Sequence, residues 1–152
     1  FGKDLLCSAR AVIGFHSRDF VPLVASLPDV EAFSAVKCDI RDEDLHYLLE
    51  LRQLRSLELE QNQITDEGLR TIGKMVTLKY LNISSQVFPR TGGHPITDRG
   101  LKHLVPLDKL RALGVHATGI TAEGVEAFAS AHPNCKVART DEELRLVDGF
   151  DP

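Results

Sequence analysis

The residues best suited to chemistry are two carboxylates, Glu58 and Glu60, in the run Ser56-Leu-Glu-Leu-Glu60. If that run is a strand, both project from one face, roughly 6.5–7 Å apart. Paired carboxylates at such a separation can serve as acid and base in glycoside hydrolysis. No segment that would form a cleft, a lid or an aromatic platform accompanies them, so they read instead as an acidic patch facing solvent or a partner. Such a patch prefers Lys or Arg opposite it and tunes on-rate and specificity more than raw affinity.

Other chemistries find less support. The histidines (His16, His46, His94, His103, His116, His132) and the three cysteines show no C-x-x-C or H-x-x-x-H spacing. His132 and Cys135 are three apart, but across Pro133 and with no second pair facing them. The histidines therefore read as lone surface residues on helix flanks. Gly92-Gly93 sits beside prolines with no Lys-Ser/Thr after it, so it is no phosphate loop. Asn82-Ile83-Ser84 matches a glycosylation acceptor but falls inside an expected strand. No catalytic residue, metal or cofactor is expected.

The frame that must position these residues is a single domain. The chain has 152 residues, 43% apolar and 26% charged, which excludes disorder, collagen-like sequence and a disulfide-dense scaffold. A net charge of −4 supplies no overall positive field to draw the chain to nucleic acid or anionic lipid. No apolar run approaches the roughly 18 residues of a membrane span. Phe1 to Phe20 also lacks the basic start, apolar middle and cleavage site of a secretory signal. Because residue 1 is Phe, the chain reads as a piece of something longer.

A repeat runs through it. Leu51, Leu54, Leu57, Leu59, Asn62, Ile64 and Thr65-Asp-Glu-Gly-Leu69 share their slots with Leu27, Val30, Phe33, Ala35, Cys38, Ile40 and Arg41-Asp-Glu-Asp-Leu45. Met75, Leu78, Leu81, Ile83 and Gln86 continue the pattern. Eight extra residues within 86–95 then delay the next Ile-Thr-Asp-x-Gly-Leu to Ile96–Leu101, and a further unit runs from Leu107 to Phe128. Fainter matches, Ala9, Ala11, Val21 and Val24, precede the first clear unit by the same 24 residues.

This pattern resembles the leucine-rich repeat family, in the short 24-residue bacterial type that carries Ile-Thr-Asp-x-Gly-Leu. The resemblance covers Leu27 to Val137 and implies an α/β, right-handed solenoid, with a parallel sheet on the concave side and short helices on the convex side. About five and a half coils are expected over residues 1–139, followed by a C-terminal tail at 140–152. Strands fall near 8–13, 32–36, 56–60, 80–84, 112–116 and 136–138, because the L-x-L pairs alternate with period two. Helices fall near 18–26, 42–50, 66–73, 98–105 and 122–131, with Thr65, Thr97 and Thr121 as N-caps. Gly68, Gly100 and Gly124 mark close approaches between coils. Asn62 and Cys38 fill the slot whose side chain bonds backbone inside the turn. Gln86 and Thr118 depart from it, so weaker anchoring is expected there. Thr140 and Glu143 have capping-box spacing for one helical turn containing Leu144.

The resemblance implies a non-enzymatic interaction module that binds a protein on the concave face. The outward columns are Ser8, Ala32, Ser56, Tyr80 and Ala112; Arg10, Ser34, Glu58, Asn82 and Gly114; and Val12, Val36, Glu60, Ser84 and His116. The partner-facing candidates are Ser56, Glu58, Glu60, Tyr80, Asn82, Ser84 and His116, with Phe88 and Arg90 of the 86–95 insertion. The alternative is a structural or capping segment of a larger repeat protein, marked by an uncovered apolar edge near Leu5, Leu6, Val12 and Ile13. A monomer is expected unless that edge is bare. Cys7 and Cys135 lie coils apart, beyond disulfide reach, which favours a reducing, cytoplasmic setting.

Overall fold

The computed structural model describes residues 5–7, 10–14, 17–27, 29–86 and 95–145. One seven-stranded sheet runs in chain order: β1 (Leu5–Cys7), β2 (Ala11–Gly14), β3 (Ala32–Ser34), β4 (Ser56–Glu58), β5 (Tyr80–Asn82), β6 (Ala112–Gly114) and β7 (Lys136–Ala138). From β2 onward every neighbour is parallel, and β1 closes the series by pairing antiparallel with β2. Between the strands lie α1 (Val21–Val24), α2 (Leu45–Leu48), α3 (Asp66–Ile72), α4 (Asp98–Leu101) and α5 (Ala122–Ala131), with α6 (Asp141–Arg145) after β7. Single 3-10 turns precede α2 and follow α4. Phe33, Leu57, Leu81 and Leu113 point inward from consecutive strands and join Leu45, Leu69 and Leu101 from the helices in one continuous core. No coil could bury this ridge alone; stacking buries it.

Two polar ladders tie coil to coil. The Asn62 amide oxygen accepts from Cys38 N and Ile40 N, both at 3.0 Å, and its nitrogen donates to Ala35 O at 2.6 Å. Gln86 does the same work one coil on: it accepts from Ile64 N at 3.0 Å and donates to Leu59 O at 2.8 Å. Its extra methylene is absorbed, so the weaker anchoring expected at Gln86 is not found. Thr118, shorter, bonds only within its own coil, to Val115 O at 2.7 Å and from Ile120 N at 3.4 Å.

The second ladder explains the Thr-Asp-x-Gly signature. Asp42 accepts from Thr65 N at 2.9 Å and from the Thr65 hydroxyl at 2.5 Å. Asp66 repeats this with Thr97 at 2.8 and 2.7 Å, across the insertion, and Asp98 with Thr121 at 2.9 and 2.8 Å. Each threonine oxygen meanwhile caps its own helix, accepting from Glu67 N, Arg99 N or Gly124 N. The glycine makes room for the preceding coil's aspartate. A Cβ on Gly100 would lie 2.2 Å from Asp66 Oδ1, and on Gly124 2.0 Å from Asp98 Oδ1.

The first coil differs from expectation. The run 8–13 is not one strand. Residues 5–7 and 11–14 form an antiparallel pair, and Val12 pairs with Phe33, so the first coil's strand sits three residues later than the 24-residue spacing places it. Val12 is therefore fully buried instead of facing outward. The helix part keeps the 24-residue spacing, with Val21 and Val24 in the core as Leu45 and Leu48 are. The link between strand and helix is the shortened part. With Val12, Phe20, Val21 and Val24 all buried, these inward side chains of the first coil are covered.

Asn62→Leu keeps the volume but leaves Cys38 N, Ile40 N and Ala35 O buried without partners. It is expected to cost about 3 kcal/mol or more in urea unfolding, against about 1 kcal/mol for Thr118→Val, whose bonds stay within one coil. Equal losses would contradict the inter-coil role of Asn62.

Candidate functional site

The open face of the sheet is not uniform along its length. At its C-terminal end the outward residues are Ala112, Gly114 and Ala138, and α6 lies on them. Leu144 packs with Ala112, Ala138 and the half-buried Tyr80 in a small cluster separate from the main core. A Cβ on Gly114 would come within 2.9 Å of Leu144 and 2.6 Å of Asn82 Oδ1, so this shelf needs a residue without a side chain. Half of the expected capping box forms. Glu143 N donates to Thr140 Oγ1 at 3.1 Å, but the Glu143 carboxylate accepts from Arg139 N at 2.7 Å, one residue before the Thr140 N that a capping box uses.

The N-terminal half of the face is open. Ala32, Ser34, Ser56, Glu58, Glu60 and Tyr80 are half-buried there, and Val36 is 37% exposed. Glu58 accepts from Ser34 Oγ at 2.5 Å. Glu60 lies just past the end of β4, where it accepts weakly from Asn82 Nδ2 and Gln61 Nε2, both at 3.4 Å. The two carboxylates are thus tied to different neighbours on the open face.

Two of the residues expected to face a partner are buried instead. Asn82 is 2% and Ser84 1% exposed. Asn82 Oδ1 accepts from Ser84 N at 3.1 Å within its own coil, and Ser84 Oγ accepts from His116 N of the next coil at 3.1 Å. Their polarity satisfies backbone at a tightly stacked turn, which sequence alone reads as outward polarity. His116 is half-buried beside Ser84. Phe88 and Arg90, with residues 87–94, lie outside the described residues.

His132 corrects the reading of surface histidines. It is buried, its ring stacked 4.2 Å from that of Phe128, with Nε2 facing Val105 O at 3.1 Å and Nδ1 facing Phe128 O at 3.3 Å. It closes the C-terminal end of α5 against the preceding coil. Among the described residues no group of three or more His, Cys, Asp or Glu could hold a metal ion, and no helix is long and apolar enough to cross a membrane.

The leucine-rich repeat family model matches residues 50–73, the coil that carries β4, Asn62 and α3. No curated protein matches the sequence. Among solved structures, the chain is similar to the tropomodulin C-terminal domain from Caenorhabditis elegans at 17% identity and a TM-score of 0.56. The likeness covers 78% of this chain and 76% of that one. The repeat, the stacked parallel sheet and this likeness agree on a leucine-rich-repeat-type α/β solenoid.

Burial pushes the Cys135 thiol up to about 12. Folding favours its neutral form, so its contribution to stability is present below the ordinary thiol pKa and lost as pH rises above it. At pH 8 the folded chain should label at Cys135 about a thousandfold more slowly than the unfolded chain. Labelling at the unfolded rate would contradict the buried placement.

Proposed function

We propose that the chain is a non-enzymatic interaction module that binds a protein partner on the open half of its sheet face, over β3 to β5. The observation that carries this reading is the division of the face. α6 already covers the shelf at Ala112, Gly114 and Ala138, while Ser34, Ser56 and Glu58 on β3 and β4, and Val36 and Glu60 just past those strands, remain accessible beside the half-buried Tyr80. Rigid presentation limits the ordering cost of binding. Glu58 and Glu60 select a partner with Lys or Arg at the contact, and Tyr80, of a type enriched at interface hot spots, supplies apolar area beside them. Cys38 and Cys135 are buried as thiols, which fits a reducing compartment.

Catalysis by the carboxylate pair finds no support in their surroundings. Each is half-exposed on the open face, whereas a general acid needs a site that holds its proton near neutral pH.

The test is capture of partners from the source cell by wild type beside the double variant Glu58→Lys, Glu60→Lys, with folding checked by circular dichroism. A partner held by wild type and weakened about tenfold or more by the variant is the expected result. Equal retention by both would move the site off this face.

A further inference from the structure

One edge of the sheet concentrates cations although the chain as a whole is acidic. The residue just before β4, β5 and β6 is Arg55, Lys79 or Arg111, while at β7 that slot holds the buried Cys135 and Lys136 pairs with Ala112. Consecutive coils hydrogen-bond through the three basic positions: Lys79 N to Arg55 O at 2.7 Å and Arg111 N to Lys79 O at 2.8 Å. Basic side chains therefore stand on successive coils at about the 4.8 Å spacing of neighbouring strands. Like charges opposed across a ladder destabilise it. A net charge of −4 shows that this column does not follow from an excess of basic residues.

Among the described residues only the first rung is neutralised within the chain. Glu31 stands before β3, between two cations, and divides its carboxylate between them: Oε1 to Arg10 at 3.1 Å and Oε2 to Arg55 at 3.6 Å. Among the described residues no carboxylate pairs with Lys79 or Arg111. Arg111 is exposed and Lys79 half-exposed.

We propose that this edge binds an acidic, extended segment of a partner protein, whose carboxylates bridge Lys79 and Arg111 as Glu31 bridges Arg10 and Arg55. A peptide fits better than a nucleic-acid strand. Glu58 follows Arg55 by three residues, about 10 Å along the strand, and would repel a uniformly charged phosphate chain. A peptide can confine its acid to the edge. This surface is separate from the open sheet face, so either assignment can fail alone.

The probes are labelled oligoglutamate and labelled oligothymidylate, followed by fluorescence anisotropy. Wild type should bind oligoglutamate saturably, and the binding should vanish as ionic strength rises from about 0.01 to about 1 M, where the Debye length falls from about 30 to about 3 Å. Lys79→Gln with Arg111→Gln should weaken it about tenfold or more, while Arg99→Gln with Lys102→Gln, which removes equal charge from the helical side, should leave it near wild type. The edge variant should also melt at or above the wild-type temperature at low salt, because repulsion has been relieved. Absence of oligoglutamate binding, equal loss in both variants, or tighter binding of oligothymidylate would overturn the proposal. So would an edge variant that melts well below wild type.

Discussion

Each coil of this solenoid turns a corner between strand and helix, and the backbone groups inside that corner need side-chain partners. At two of the corners the neighbouring coil supplies them, and the stacking register follows from that. Asn62 reaches back to Cys38, Ile40 and Ala35; Gln86 reaches back to Ile64 and Leu59. At the start of the helices the direction reverses, and Asp42, Asp66 and Asp98 reach forward to the next coil's threonine. The apolar core gives the coils a reason to stack. It is non-directional and would tolerate sliding, whereas these bonds fix the register. A register fixed in this way is what lets side chains on the open face and on the basic edge stand in straight columns.

The ends of the array show what happens where the ladder cannot continue. In the first coil Arg18 occupies the aspartate slot, and in the next coil Asp44 occupies the glycine slot. There an ion pair replaces the aspartate–threonine bond, Arg18 to Asp44 at 3.2 Å and to Glu43 at 3.1 Å. The Arg18 bond holds the Glu43 carboxyl below its ordinary range. In the last helix-bearing coil the slot holds Ala122, which is exposed, and no further coil of this kind follows among the described residues. There the chain turns α6 onto the open face and seals the shelf with Leu144.

Much of this was legible in the residues. The period-two leucines gave the strands, Thr65, Thr97 and Thr121 gave the helix starts, and Thr140 with Glu143 gave α6. Gly68, Gly100 and Gly124 mark close approaches, but nothing in their spacing says what approaches them: a carboxylate from the coil before. Other features carry no local signal. Lys37, Gln61, Ser85 and Ala117 take up positive φ at the same corner of four coils, and none is glycine, so the corner has no mark in composition. Asn82 and Ser84 are polar at outward positions, yet lie buried because neighbouring coils close over them. The first coil misled for another reason. Its helix obeys the repeat and its strand does not, since the link between them is shorter. Which outward residues remain open also depended on α6 folding back, a long-range event that no column of slots contains.

Polar bonds between coils fix the register, and a double-mutant cycle on Asp66 and Thr97 measures one of them in isolation. Asp66→Ala, Thr97→Val and the combined variant are compared with wild type by urea unfolding. Thr97→Val also loses its helix cap, but that loss cancels in the cycle. A coupling of about 1.5 kcal/mol or more is expected, the size of a hydrogen bond to a charged group that spans two coils. Additive losses would contradict a register-fixing role for this pair.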